Sequence, residues 1–120
     1  MANFIEIQHI QDERGSLNII EDQLGFPIKR VFYMYDVPEN STRGEHGHIA
    51  TEMALIATSG KCIVEIHKDN KVREFILDHP KKCLYIPVKE WHLMKSFTND
   101  CCLLVLASKE YDPNDYILEK

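Results

Sequence analysis

Residues 43–67 read RGEHGHIATEMALIATSGKCIVEIH, and this stretch decides the fold. Histidines two apart, His46 and His48, stand near its start. Residues two apart in an extended strand share a face, so the two imidazoles project side by side. The chain then turns apolar towards Thr58, Ser59-Gly60 signals a hairpin, and Cys62-Ile63-Val64-Glu65-Ile66-His67 continues as a strand. Paired histidines on one strand face are rare unless something is bound or a proton is moved between them.

Outward from this stretch the same grammar repeats. Phe4 to Ile10 reads as a first strand, Asp12-Glu13-Arg14-Gly15 as a turn, and Ser16 to Ile20 as a second strand. Pro27 closes a short loop with one helical turn expected near Glu21 to Leu24. Arg30 to Val37 is an aromatic-rich third strand, broken by Pro38-Glu39-Asn40-Ser41. Downstream, Lys68-Asp69-Asn70-Lys71 is a turn, and Val72 to Leu77, Leu84 to Pro87, Trp91 to Phe97 and Cys101 to Ala107 are strands. The tail from about Asp112 to Lys120 reads as a helix or a short edge strand. About nine or ten short strands with tight turns predict an all-β jelly roll, a double-stranded β-helix barrel. Such barrels bind ligands on inner-face side chains, which places His46 and His48 along a cavity.

The chain has 120 residues, the length of one domain, taken here as residues 1–120. Its net charge of −5 argues against a general nucleic-acid or acidic-membrane surface. It leaves room for a local Arg/Lys cluster that holds a small anion. No basic, apolar leader opens the chain and no run approaches the length of a membrane helix, so the expected location is cytoplasmic, with no membrane partner. Cys62, Cys83, Cys101 and Cys102 make no C-x-x-C pair and read as inert core thiols.

Two chemistries fit the histidine pair. Cupin barrels often hold a divalent metal with H-x-H, a following carboxylate and a later His. Here Glu52 lies four residues after His48, and His92 follows Pro87 by five. Met53 occupies the commoner carboxylate position, and a thioether is a poor ligand for Fe(II), Mn(II) or Zn(II). The other chemistry is acid–base. Neutral imidazoles, with an unperturbed pKa of roughly 6.5, suit removal of a proton beside a carbonyl and its return elsewhere.

Several stretches occur in the order found in one family: Asp12-Glu13-Arg14-Gly15-Ser16-Leu17, Ile28-Lys29-Arg30-Val31-Phe32-Tyr33, Arg43-Gly44-Glu45-His46-Gly47-His48, Leu84-Tyr85-Ile86-Pro87, Trp91-His92, and Leu104 to Ile117 with its L-A-S-x-x-Y-D-x-x-D-Y-I ending. In these the chain resembles the cupin-type sugar-nucleotide 3,4-ketoisomerases, which act on TDP-4-keto-6-deoxyglucose. The resemblance implies a metal-free enzyme without cofactor, usually a homodimer that exchanges its N-terminal strand. The implied ligand is a TDP-linked 4-keto-6-deoxyhexose, whose carbonyl moves between C4 and C3. The family's catalytic pair maps onto His46 and His48. A donor for the enediolate oxygen is then required, and Tyr33, Tyr35 and His92 are the candidates on expected inward orientation. Arg30 and Arg43, with Arg14 behind them, are the candidates to hold the pyrophosphate. The chain departs from the family in Met53, where Gln is usual, and in Phe32, where Tyr is common. Other chemistries open on the same barrel are a 3,5-epimerase-like proton shuffle, a metal cupin using His46, His48, Glu52 and His92, and a non-catalytic sugar-nucleotide sensor.

Overall fold

Period-two alternation organises the molecule, described over residues 1–120 in a computed structural model. Twelve strands form: β1 (Asn3–Ile5), β2 (Gln8–Asp12), β3 (Gly15–Ile19), β4 (Arg30–Met34), β5 (Arg43–His48), β6 (Met53–Ser59), β7 (Cys62–Lys68), β8 (Lys71–Leu77), β9 (Cys83–Ile86), β10 (Trp91–Lys95), β11 (Cys102–Ala107) and β12 (Tyr116–Ile117). Two five-stranded sheets, ordered β1-β9-β6-β11-β4 and β12-β5-β10-β7-β8, carry the core, and every pairing is antiparallel. This is the jelly roll that the turn spacing predicts. β2 and β3 form a separate hairpin.

The inner faces stack in layers that cross-strand register defines. Leu84, Leu55, Val105 and Phe32 share one row of the first sheet, opposite a row of Met94, Val64 and Phe75 in the second. All pack in or against one apolar cluster. The next row towards the mouth is different. In the first sheet it runs Ile86, Met53, Ala107, Arg30. In the second it runs His46, His92, Ile66, Arg73. The barrel is thus hydrocarbon below and basic at its rim.

Several sequence expectations shift in detail. The first strand is two, β1 and β2, in different sheets. The helical turn near Glu21 is absent; the segment instead lays Leu24 and Phe26 over the outer face of the first sheet, against Ala54, Ile56, Cys83 and Leu106. Residues 45–58 are likewise two strands, so the histidines and the apolar run lie in opposite sheets. The tail is a 3₁₀ turn at Pro113–Asp115 followed by the edge strand β12. Burial raises the thiol pKa of Cys62 and Cys83, the latter to about 11, which fits core thiols. No helix is long and apolar enough to cross a membrane.

A bulge aims β5. His92 pairs with His46, yet Leu93 pairs with Gly44, leaving Glu45 without a partner. Gly44 and Glu45 both have positive φ, 82° and 63°. A Cβ on Gly44 would meet Met94 Sδ at 2.9 Å and the His92 carbonyl oxygen at 3.2 Å. Gly44→Ala therefore combines left-handed strain with a clash and is expected to cost roughly 1–3 kcal/mol, read as a lower urea midpoint with unchanged slope.

Candidate active site

Three histidines meet at the mouth. The His46 and His48 ring centroids lie 4.9 Å apart, His46 and His92 lie 5.0 Å apart, and His48 and His92 lie 6.2 Å apart. His46 and His48 share a face because they are two apart on β5, as the sequence predicts. His92 joins them because β10 pairs with β5 in register at His46. Gly47 permits the approach: a Cβ there would sit 3.2 Å from the Glu90 carbonyl oxygen.

Hydrogen bonds fix each ring. His46 Nδ1 lies 3.0 Å from the Gly44 carbonyl oxygen and His92 Nδ1 lies 3.4 Å from that of Glu90. A carbonyl only accepts, so Nδ1 carries the proton in both and Nε2 keeps its lone pair. His48 Nδ1 lies 3.0 Å from Asp115 Oδ2. Asp115 also accepts from Thr51 Oγ1 at 2.5 Å and from the Ala50 amide at 2.7 Å. Burial alone would raise the Asp115 pKa, but these three donors hold it below its usual value, so it is a carboxylate and His48 Nδ1 is the donor.

All three imidazoles are held neutral. Burial is the main cause of the lowered pKa in each. His46 depresses both neighbours by charge, and Arg30 adds to the depression of His46 and His48. His92, almost fully buried, falls to about 3. The site therefore presents Nε2 lone pairs near neutral pH, the protonation state that a base needs.

Tyr116 closes the cluster. Its ring lies 4.7 Å from His46 and 5.0 Å from His48, and Tyr111 lies 6.2 Å beyond it. Asp115 and Tyr116 belong to the tail motif, but its sequence gives no sign that it folds back 67 residues to β5.

The other predicted residues are dispersed. Arg30 stands in the mouth row, and its buried Nε makes no hydrogen bond. Arg43 is exposed at the start of β5. Arg14 lies at the tip of the β2–β3 hairpin, paired with Asp12 at 2.7 Å. The inward orientation expected for Tyr33 and Tyr35 is corrected: Arg30, Phe32 and Met34 take the inner phase of β4, leaving the tyrosines 61% and 63% exposed, their rings 6.1 Å apart on the outer face. Glu52 also faces away from the histidines. Its carboxylate accepts from Tyr85 Oη at 2.5 Å, while Met53 takes the inner position. The four-ligand set of His46, His48, Glu52 and His92 is thus not assembled, and no group of three His, Cys, Asp or Glu side chains has metal-holding geometry.

Comparison with known proteins places this site in context. The family model described as FdtA, WxcM-like, C-terminal, matches residues 1–120. A TDP-4-oxo-6-deoxy-alpha-D-glucose-3,4-oxoisomerase of Aneurinibacillus thermoaerophilus is 41% identical over 115 residues, covering 94% of this chain and 83% of the relative. The crystal structure of QdtA, a sugar 3,4-ketoisomerase of Thermoanaerobacterium thermosaccharolyticum in complex with TDP, superposes with a TM-score of 0.95 at 36% identity, over 98% of this chain and 88% of that one. A 3,4-ketoisomerase of Helicobacter canadensis gives 0.94 at 33% identity, over 98% and 90%.

Burial of neutral His92 has a pH signature. In the unfolded chain the ring takes up a proton as the pH falls through about 6.5; in the folded chain it resists until about 3. The unfolded state binds more protons in that window, so stability falls as the pH drops below 6.5 and is unaffected above it. His92→Asn is expected to flatten the fall in urea midpoint between pH 6.5 and 5, a range above the carboxylate titrations.

Proposed function

The chain belongs to the FdtA family, and on that premise we propose that it is a sugar-nucleotide 3,4-ketoisomerase acting on TDP-4-keto-6-deoxyglucose by proton transfer between histidines. The observation that carries the mechanism is the convergence of three neutral imidazoles, one of them tied to a carboxylate, at the mouth of the barrel.

The C3 proton of the substrate is acidified by the C4 ketone. His46, half-buried and with a free Nε2, takes that proton; the C–H electrons form the C3–C4 double bond and the C4 oxygen becomes an enediolate. The C3 hydroxyl then gives its proton to Nε2 of His48 as its oxygen forms the C3 ketone; His48 passes that proton to C4, and His46 returns the one it took to the C4 oxygen, which becomes the product hydroxyl. His48 serves that second step, because Asp115 stabilises its imidazolium while holding the ring in place. Atoms and electrons balance within the substrate, so no external oxidant enters.

The enediolate oxygen needs a fixed donor. Tyr116, between His46 and His48, supplies an O–H, and the Arg30 guanidinium supplies charge from the facing sheet. Tyr116 takes the role expected of Tyr33, which lies outside the barrel. His92 with Nδ1 donating to Glu90 has only a lone pair at Nε2, so it orders the other rings rather than donating to an oxyanion. Arg43 is exposed at the start of β5, and Arg14, on the separate β2–β3 hairpin, pairs with Asp12 instead.

The same reading includes a homodimer. Ile10 and Leu17 are 44% and 56% exposed on the β2–β3 hairpin, and Val31 and Tyr33 on edge strand β4, with Tyr35 just after it, lie bare. Covering such apolar surface is what an obligate interface does.

Proton NMR of TDP-4-keto-6-deoxyglucose in D₂O with the protein is expected to show a 3-keto product with solvent deuterium. His46→Asn is expected to lower kcat at least ~100-fold while TDP binding persists. The acid limb of kcat/KM is expected below pH 6.5, because burial lowers the pKa of both His46 and His48. A folded, TDP-binding protein that neither exchanges the C3 proton nor forms product sinks the reading.

A further inference from the structure

The polarity of the β7–β8 hairpin is inverted. Its end pairs Lys68 with Lys71 and Ile66 with Arg73, and Ile66 belongs to the barrel interior. Cross-strand partners share a face, and so do residues two apart. Lys68, Lys71 and Arg73 therefore stand on the inner face, while the apolar Val72 points outward at 57% exposure. Like charges directly opposite each other weaken a hairpin. A tight turn with Asp69 and Asn70 both at positive φ holds them there.

No carboxylate of the fold forms an ion pair with Lys68, Lys71 or Arg73. The pair nearest them joins the Met1 N-terminus to Glu90 at 3.6 Å, and on the outer face of the same sheet Lys95 bridges Glu65 and Glu74 at 2.7 and 2.6 Å. A lysine or arginine that merely covers apolar surface keeps its charged head in water. Arg73 is half-buried and does so only in part: Nη1 is buried and makes no hydrogen bond, and the guanidinium lies 4.8 Å over the Phe75 ring. The three cations line a cavity of about 400 Å³ with Val88 and the acids Asp69 and Glu90. Glu90 is already engaged, accepting from the Ala2 amide at 3.0 Å and pairing with the Met1 N-terminus, another residue of the lining, at 3.6 Å.

We propose that Arg73, Lys68 and Lys71 form a subsite for a phosphoryl group at the end of the barrel mouth opposite the histidines. Arg73 offers two parallel N–H donors of the kind that grip a phosphate, and the lysines supply charge. It occupies the same inner row as His46 and His92, roughly three interstrand spacings of ~4.8 Å from His46. That span suits two sources: the diphosphate of a sugar nucleotide whose sugar lies at the histidines, or a separate phosphate anion. The subsite stands without the isomerase reading; only the first source rests on it.

Inorganic pyrophosphate titrated into the protein by calorimetry tests the subsite without any assay of activity. Binding to the wild type, weakened at least tenfold in Arg73→Met and in the Lys68→Met/Lys71→Met double variant but largely kept in Arg73→Lys, is the expected result. The double variant changes only exposed residues, so it guards against a misfolded Arg73→Met. Pyrophosphate that fails to bind, or binds equally to both variants, overturns the proposal. Steady-state kinetics then separates the sources: a tenfold higher KM for the sugar nucleotide at unchanged kcat in Arg73→Met assigns the substrate's own diphosphate, and an unchanged KM assigns a separate anion.

Discussion

The β5 strand is the joint on which the rest depends. On one edge it pairs with β10, setting His46 beside His92; on the other it pairs with β12, setting His48 beside Tyr116. One strand therefore binds the barrel's interior to the chain's tail. The bulge at Gly44-Glu45 sets the phase of that strand, and its phase decides which residues face in. Without the bulge the alternation would continue from Arg43 in the wrong register, and the imidazoles would face solvent.

A barrel mouth is an expensive place for polar groups unless each is satisfied. The molecule meets that constraint with neutral imidazoles whose Nδ1 hydrogens go to Gly44, Glu90 and Asp115. The single buried charge among them, Asp115, accepts three hydrogen bonds. What remains unsatisfied is informative. Arg30 Nε and Arg73 Nη1 stand at opposite ends of the mouth rows, on opposite sheets. Two guanidinium groups on one rim thus keep a donor that no acceptor of the fold takes up.

Much of this was legible from the residues. Turn signals and alternation foretold the jelly roll, and the two-residue spacing of His46 and His48 placed them on one face. The place of His92 five residues after Pro87, a spacing shared with cupin barrels, marked it as a candidate. The failures share a cause: phase on an edge strand. β4 carries aromatics in both phases, so its pattern did not say that Phe32 turns in while Tyr33 and Tyr35 turn out. The same ambiguity hid the orientation of Glu52 against Met53, which register with Ile86 resolves. Asp115 was invisible for another reason. Its partner lies 67 residues away, and no local pattern announces a contact made by the fold.

Met53 leaves one wall of the site, from Ile86 to Ala107, without a polar side chain. In the mouth row it stands between Ile86 and Ala107, facing the histidine sheet, and is buried to 2% exposure. A thioether there brings neither a donor nor a strong acceptor. Between Ile86 and Ala107 that wall is hydrocarbon and sulfur, and Arg30 is its only ionisable member. Orientation of the rings must then come entirely from the opposite sheet and from the tail. That is where the hydrogen bonds lie: Gly44 on β5, Glu90 at the start of β10, and Asp115 ahead of β12. A polar side chain at position 53 would have been one more hand on the rings. The Asp115 carboxylate, fixed by Thr51 and Ala50 from the segment just before Met53, does that work from the other side.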